Sequence, residues 1–168
     1  MAETIITDKT EALAAVKNDG FALEHVSDEL KADKEVVMAA VNNVGALEYA
    51  SEELKADREV VMVAAKNDEY GYALQHASEE LKADKEVVMA AVENYGRALE
   101  HASDELKADK EMVMAAVKND GWALQDASDE LKADKEVVMA AVKNDGDALE
   151  FASDELKTDP EILALMDD

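Results

Sequence analysis

Serine, histidine and aspartate stand close together at His101, Ser103 and Asp104, and these are the residue types of a hydrolytic triad. A nucleophilic serine needs a base that faces it, and residues one or two positions apart on a helix do not face each other. The serine also recurs at the same place of a sequence pattern, at Ser27, Ser51, Ser78, Ser128 and Ser153. A small polar residue at a close helix contact explains this recurrence, so we predict a protein without enzymatic activity.

The tripeptide Asn-Asp-Gly, which ends at Gly20 and at two later glycines, resembles the middle of a calcium-binding loop. An EF-hand loop with glycine at position 6 needs oxygen ligands at positions 1 and 3 and a glutamate at position 12. For Gly20 these three positions hold Ala15, Lys17 and Val26. The match fails, and a turn that ends a helix is the better interpretation.

Two further features bear on metal binding. His76 and His101 occupy the same place in neighbouring units, and helices that pack together lie ~8–10 Å apart, so two imidazoles could converge on one metal ion. A third ligand is lacking, and we therefore predict no metal site and no cofactor. The dense carboxylates Glu52-Glu53, Asp104-Glu105 and Asp129-Glu130 leave an alternative function open, that of an acidic protein that binds or buffers Ca²⁺.

The charge of the chain limits its partners. Its 168 residues include 41 acidic and 17 basic ones, which gives a net charge of −24. This field repels phosphate backbones and anionic lipid headgroups, so we expect a protein partner with a basic or mixed surface and no nucleic acid. No apolar stretch approaches the length of a membrane span or a signal peptide, so we expect no membrane insertion and a soluble intracellular protein. The absence of cysteine excludes disulfides and thiolate metal sites.

A repeated phrase organises the whole chain. The run Asp-Lys-Glu-Val-Val-Met-Ala-Ala-Val, then a glycine, then Ala-Leu-x-x-Ala-Ser-x-x-Leu, recurs every 24 to 27 residues. A period of this size indicates stacked supersecondary units, and we predict an all-α solenoid of about 13 short helices. The expected single domain, 1–168, has units at 8–32, 33–56, 57–83, 84–108, 109–133 and 134–158 and a capping helix in 159–168.

Each unit is predicted to be an αα-hairpin of two short helices. In the second unit Asp33 is a suitable N-cap, and Gly45 is expected to end the first helix in the left-handed conformation, as are the other five glycines. The apolar residues of the first helix share one face: Val36, Val37, Ala40 and Val41. Those of the second helix do the same: Ala46, Leu47, Ala50 and Leu54.

Two positions vary while this frame stays constant. One directly follows the glycine and the other lies four residues later, so an α-helix would place Phe21 beside His25 and Trp122 beside Asp126. The variable stripe consists of Phe21, His25, Tyr49, Tyr72, His76, Arg97, His101, Trp122, Asp126 and Phe151. A constant frame with an aromatic-rich variable stripe is typical of a binding surface in repeat proteins, and it fits packing between neighbouring second helices equally well.

The remaining regularities concern the core and the ends. A methionine follows the valine pair in five units and is predicted to pack between repeats, at Met38, Met62, Met89, Met114 and Met139. Glu11 and Asp167 replace core residues in the terminal units, as capping units require. Pro160 stands at a first helical position, where proline is tolerated.

The repeated run, clearest at 109–131 and 134–156, resembles a family of tandem helical repeats catalogued as domain of unknown function 4116. The resemblance covers roughly residues 8–166 and implies a helical-repeat fold, with no reaction, cofactor or ligand to carry over. A missing residue near Gly45 and the insertion Asp68-Glu69-Tyr70 predict a superhelix that is not uniform. We predict a non-enzymatic protein-interaction or scaffold module, for example a peripheral subunit of a larger assembly.

Overall fold

The computed structural model describes residues 5–43 and 45–166, and each repeat in it begins with an α-helix that directly follows the repeat's aspartate. These first helices are Lys9–Asn18, Lys34–Ala40, Arg58–Lys66, Lys85–Asn94, Lys110–Asn119 and Lys135–Asn144. After the sixth repeat the described residues form the short helix Pro160–Leu163 and the 3₁₀ turn Ala164–Met166. In every repeat the aspartate side chain accepts a backbone N–H of the first turn, which is the N-cap that the sequence predicts.

Two shorter segments complete each repeat. The second segment is a 3₁₀-helix in five repeats and an α-helix in the third: Gly20–His25, Ala46–Tyr49, Tyr72–His76, Gly96–His101, Gly121–Asp126 and Gly146–Phe151. The third segment is a single turn: Asp28–Lys31, Glu52–Lys55, Glu79–Lys82, Asp104–Lys107, Asp129–Lys132 and Leu156–Thr158. The all-α solenoid of tandem repeats is therefore confirmed.

The predicted second helix is interrupted, because its serine performs two other tasks. Ser103 has extended dihedrals (φ −63°, ψ 157°), and its Oγ accepts the N–H of Leu106 at 3.4 Å, which starts a new helical turn. Its own N–H donates to the carbonyl oxygen of Lys82 in the preceding repeat at 2.9 Å. The second, third, fifth and sixth repeats make the same backbone bond between serine and lysine, so the recurring serine links neighbouring repeats.

The core lies between two layers of segments. The first helices pack side by side in one layer and the second segments pack side by side in the other. In the fourth repeat Val87, Val88, Ala91 and Val92 are at most 2 % exposed, and Leu99 of the second segment is fully buried against them. A buried valine or leucine stabilises the fold by about 1.5–3 kcal/mol. The buried residues of the described repeats form one continuous cluster, so each inner repeat is stabilised from both sides.

Only two of the six glycines are left-handed, so the predicted glycine role is wrong for the other four. Gly45 and Gly71 have φ of 83° and 81°, and both lie where the repeat spacing is irregular. Elsewhere an extended residue ends the first helix and the glycine starts the next segment; the extended residue is Asp19, Tyr95, Asp120 or Asp145. A β-carbon on Gly121 would lie 2.6 Å from the carbonyl oxygen of Ala141 in the next repeat. Close approach of the neighbouring repeat therefore explains this glycine.

A ladder of ion pairs crosses every repeat boundary. The cation after each cap aspartate contacts the next repeat's cap aspartate at 2.7–2.9 Å, in the pairs Lys9–Asp33, Lys34–Asp57, Arg58–Asp84, Lys85–Asp109, Lys110–Asp134 and Lys135–Asp159. Each cation also pairs with the glutamate two residues beyond that aspartate. Hydrogen bonds from the cations lower the pKa of these aspartates, and the carboxylates raise the pKa of Lys85 to about 12.

Asparagines near the ends of first helices form a second link between repeats. Asn119 accepts the N–H of Gly96 at 2.7 Å and donates to the carbonyl oxygen of Glu93 at 2.9 Å. Asn144 repeats this pattern one unit later, with Gly121 and Lys118 as partners. The side chain thus satisfies backbone groups that a helix end leaves unpaired.

At the two ends of the described part of the solenoid a neighbouring repeat is missing, and other residues take the place of its contacts. Ile6 takes the place of a preceding repeat, since its carbonyl oxygen accepts the N–H of Ser27 at 2.9 Å and it forms a parallel bridge with Val26. At the other end Pro160 occupies the ladder cation's position, at the first turn of a helix as predicted. Glu11 is exposed, as a capping repeat requires, and Asp167 lies outside the described residues.

The methionines that were predicted as core are only half-buried. All five pack against the core on one side: Met38, Met62, Met89, Met114 and Met139. Four of them also line open grooves on the outer face of the first helices: Met62, Met89, Met114 and Met139. Their second side is therefore accessible.

Candidate interaction surface

The variable stripe lies on the second segments, and none of its residues is buried. The exposed members are Phe21, His25, Tyr72 and Arg97, and the half-buried members are Tyr49, His76, His101, Trp122, Asp126 and Phe151. The frame residues beside them, such as Ala123 and Leu124, are fully buried. Variable and constant positions are thus separated by burial within each segment.

Aromatic stripe residues contact each other across repeat boundaries. Phe21 meets Tyr49 of the next repeat edge-on, with ring centroids 6.2 Å apart, and Trp122 meets Phe151 in the same way at 5.3 Å. The prediction paired residues four apart within one α-helix. A 3₁₀-helix has three residues per turn, so positions four apart do not share its face, and the first stripe position turns towards the next repeat instead.

Trp122 is the most constrained member of the stripe. Its indole N–H donates to Asp145 Oδ2 at 2.9 Å, and Phe151 contacts its ring. The guanidinium of Arg97, from the preceding repeat, lies 5.9 Å from the indole centroid, within cation–π range. These contacts tie three consecutive repeats together, which favours packing as the role of this end of the stripe.

The insertion in the third repeat builds an exposed aromatic pair. Asp68 is 3 % exposed, and its carboxylate accepts the N–H of Tyr70 at 3.0 Å and that of Ala73 at 2.6 Å. The resulting turn places Tyr70 beside Tyr72, with ring centroids 5.9 Å apart. Tyr70 is 59 % exposed and Tyr72 is 43 % exposed, so these rings present apolar surface to solvent.

His101 and Asp126 hold the second stripe position in neighbouring repeats, and their titration reflects partial burial. Desolvation lowers the pKa of His101. Desolvation also raises the pKa of Asp126, and the negative charge of Glu100 adds to this effect. Both groups are therefore biased towards their neutral forms, and a partner that pairs with either of them must overcome that bias.

The residues that the sequence offered for catalysis or metal binding have structural roles. Ser103 caps a helical turn, and Asp120 of an Asn-Asp-Gly tripeptide accepts the N–H of Trp122 at 2.9 Å, which confirms a helix-ending turn there. Within residues 5–43 and 45–166, no three histidine, aspartate or glutamate side chains are arranged to hold a metal ion. Among the helices of this same part of the chain, none has the length and apolar character needed to cross a membrane.

Comparison with known protein families identifies the family of this chain. A family model described as Domain of unknown function (DUF4116) matches residues 8–55, 42–70, 57–107 and 109–162. The chain belongs to the DUF4116 family. The three longer matches begin at Asp8, Asp57 and Asp109, which are cap aspartates of the DUF4116 chain, and each spans about two repeats. No curated protein and no solved structure matches the chain.

The cross-repeat ladder is the feature of the DUF4116 chain that sequence reasoning missed. The signal was present, because a cation follows the cap aspartate in all six repeats, and Pro160 takes its place only in the capping helix. Within a single repeat, helix capping alone accounts for the tripeptide Asp-Lys-Glu. The pairing becomes visible only when neighbouring copies are placed side by side.

Proposed function

We propose that this chain is a non-enzymatic protein-interaction or scaffold module, which binds a partner protein through the variable stripe. The observation that carries the proposal is the exposed aromatic surface of the first three repeats. Phe21 is 47 % exposed, Tyr72 is 43 % exposed, and Tyr70 extends the same surface beyond the second segment. Large aromatic side chains of this kind supply much of the energy of protein interfaces.

The stripe divides into two parts with different roles. Around Trp122 the side chains are held by Asp145, Phe151 and Arg97, so this part stabilises the stack. Among the described residues Phe21 has one ring contact, with Tyr49, and Tyr72 has one, with Tyr70, and both side chains remain exposed. The proposed binding surface is therefore the amino-terminal half of the stripe, presented by the rigid frame of buried valines and leucines.

The charge of the chain favours a partner with a basic or mixed surface. A net charge of −24 attracts cationic surfaces over a Debye length of about 8 Å at physiological ionic strength. Charge of this kind raises the association rate more than the final affinity. The aromatic residues then provide specificity, as expected of a scaffold subunit that contacts a larger assembly.

The test is affinity capture from a lysate of the source organism with the double variant Phe21→Ala/Tyr72→Ala. We expect loss of a partner that the unaltered chain recovers, with a fall in melting temperature of only about 2–4 °C, because both rings are exposed and only Phe21 loses a ring contact with the next repeat. The matched control is Leu163→Ala, since Leu163 is 41 % exposed and lies in the C-terminal cap, away from the stripe. Unchanged recovery by the double variant contradicts the proposal, as does equal loss with Leu163→Ala.

A further inference from the structure

The outer face of the first helices carries a groove that the variable stripe does not include. It lies over the helices Lys110–Asn119 and Lys135–Asn144 and encloses about 740 Å³. Its floor consists of Met114, Met139 and Ala140, all half-buried. Methionine side chains are flexible and polarizable, and they suit apolar surfaces that adapt to a docked helix.

The two rims of this groove carry opposite charges. Lys118 and Lys143 stand on one rim, near the carboxyl ends of the two helices, and neither forms an ion pair within the described part of the chain. Glu136 and Glu161 stand on the other rim. Each glutamate pairs with a ladder lysine at 2.8 Å, yet its side chain remains 73 % exposed and open to a second partner.

The distance between the rims fits one helix. Glu136 and Lys143 are seven residues apart on one α-helix, which corresponds to ~10 Å along its axis, and an α-helix with its side chains is ~10–12 Å wide. Along the groove, Lys118 and Lys143 lie on neighbouring helices, ~8–10 Å apart. Residues i and i+7 of a helix laid across them would be separated by a similar ~10 Å.

A second groove in the same chain has the same floor but a different rim. It encloses about 600 Å³ and is floored by Met62, Met89 and Ala90. Glu93 stands there in the place of Lys143, so its charged lining contains more carboxylates than cations, namely Glu86, Glu93 and Glu111 against Lys66 and Lys85. The lining of the carboxyl-terminal groove has the reverse balance, namely Lys118, Lys135 and Lys143 against Glu136 and Glu161.

We propose that the carboxyl-terminal groove binds one amphipathic helix of a partner protein, laid across the first helices with its apolar seam on the methionines. Its acidic flank pairs with Lys118 and Lys143, and its basic flank pairs with Glu136 and Glu161. A helix that is acidic on both sides would be repelled by the net charge of −24. Opposite charges on the two rims therefore select a helix with one flank of each sign.

The test uses a synthetic peptide and the full chain labelled with ¹³C at the methionine methyl groups. The peptide is an amphipathic helix of about 18 residues, ~27 Å long, with a leucine seam, glutamates on one flank and lysines on the other. We expect saturable shifts of the Met114 and Met139 methyl resonances, with those of Met62 and Met89 unmoved. Lys118→Glu/Lys143→Glu should weaken binding about tenfold or more, because two attractive contacts become repulsive.

Matched variants separate the groove from the rest of the surface. Lys17→Glu/Lys66→Glu makes the same charge change at the equivalent helix positions outside the groove, and it should leave the affinity within about twofold. Glu93→Lys should create a second site, seen as new shifts of Met62 and Met89. Melting temperatures within about 2 °C of the unaltered chain verify folding, since the substituted side chains are exposed.

Three results would overturn this assignment. The first is no shift of Met114 and Met139 at about 1 mM peptide. The second is equal binding by Lys118→Glu/Lys143→Glu. The third is a concentration-dependent shift of the same methyl groups without peptide, which would identify a second copy of the chain as the occupant. Peptide binding by Phe21→Ala/Tyr72→Ala should be unchanged, so failure here is distinguishable from failure of the stripe proposal.

Discussion

Gly121 and Ala141 belong to neighbouring repeats, and a β-carbon added to Gly121 would lie 2.6 Å from the carbonyl oxygen of Ala141. The same carbon would also lie 3.2 Å from the backbone nitrogen of Asp145. Both obstacles are backbone atoms, one within the next first helix and one in its C-cap residue, so rotation of a side chain does not relieve them. This contact sets how closely two repeats approach.

Replacing Gly121 by alanine should therefore destabilise the stack. We expect a loss of about 1–3 kcal/mol in the free energy of unfolding, the usual effect of overpacking. Gly146→Ala is the matched control, because its new carbon would meet only the terminal methyl of Met166 at 3.7 Å. For Gly146→Ala the free energy of unfolding should stay unchanged or rise by about 0.4–1 kcal/mol, because the unfolded chain has less conformational freedom. Urea unfolding measures both; equal effects would contradict the close-approach explanation.

The ion-pair ladder predicts that two lysines of one helix contribute differently to the stability of the fold. Lys110 contacts Asp134 at 2.8 Å, whereas Lys118, eight residues later, forms no ion pair within the described residues. Lys110→Met and Lys118→Met change the net charge equally, so a lower melting temperature for Lys110→Met isolates the ladder contact. In about 1 M NaCl the Debye length falls to ~3 Å and the difference should shrink. Identical melting curves at low salt would show that the ladder does not stabilise the fold.

The ladder also predicts how stability depends on acid. Its six aspartates, such as Asp84, have a pKa below the usual value, because the cation of the preceding repeat donates a hydrogen bond to each carboxylate. A lowered folded-state pKa contributes stability above the unfolded value of about 3.9, and this contribution is lost as the pH falls through the folded-state pKa. We expect the melting temperature to decline between about pH 4 and pH 2.

Asp84→Asn should make this decline shallower, since one titrating group is removed while the amide oxygen can still accept the N–H groups of Glu86 and Val87 as the helix cap. Asp8→Asn is the control, because Asp8 caps a first helix but forms no ion pair in the described part of the chain. Melting temperatures measured by circular dichroism at half-unit pH steps test the pair. The same acid profile for both variants would assign the decline to groups outside the ladder.

Trp122 and Tyr72 occupy the same stripe position, and we expect that replacing each by alanine lowers the free energy of unfolding by different amounts. Trp122→Ala removes the hydrogen bond to Asp145 and the ring contact with Phe151, at a cost of about 2–3 kcal/mol. Tyr72→Ala removes an exposed ring and should cost less than about 1 kcal/mol. Chemical denaturation compares the two. A larger loss at Tyr72 would reverse the division of the stripe into packing and binding parts.

The features that could be predicted from the sequence depend on residues within one repeat. Asp33 and its equivalents mark the start of every first helix, and the spacing of Val36, Val37, Ala40 and Val41 identifies the buried face. The second helix could not be predicted correctly, because Ser103 bonds to Lys82, twenty-one residues earlier. The ring contacts of Phe21 and Trp122 could not be predicted for the same reason, since each ring contacts the following repeat.

By itself the sequence determined the repeat, the helix starts, the apolar faces and the strongly negative charge, because these follow from residue types at short, fixed spacings. Only the tertiary structure decided why glycine recurs, which cations meet which carboxylates, and which stripe residues face solvent. Those properties arise where one repeat touches the next, and no single repeat contains both partners. The open methionine groove belongs to this second group, because its floor is shared by Met114 and Met139 of adjacent helices.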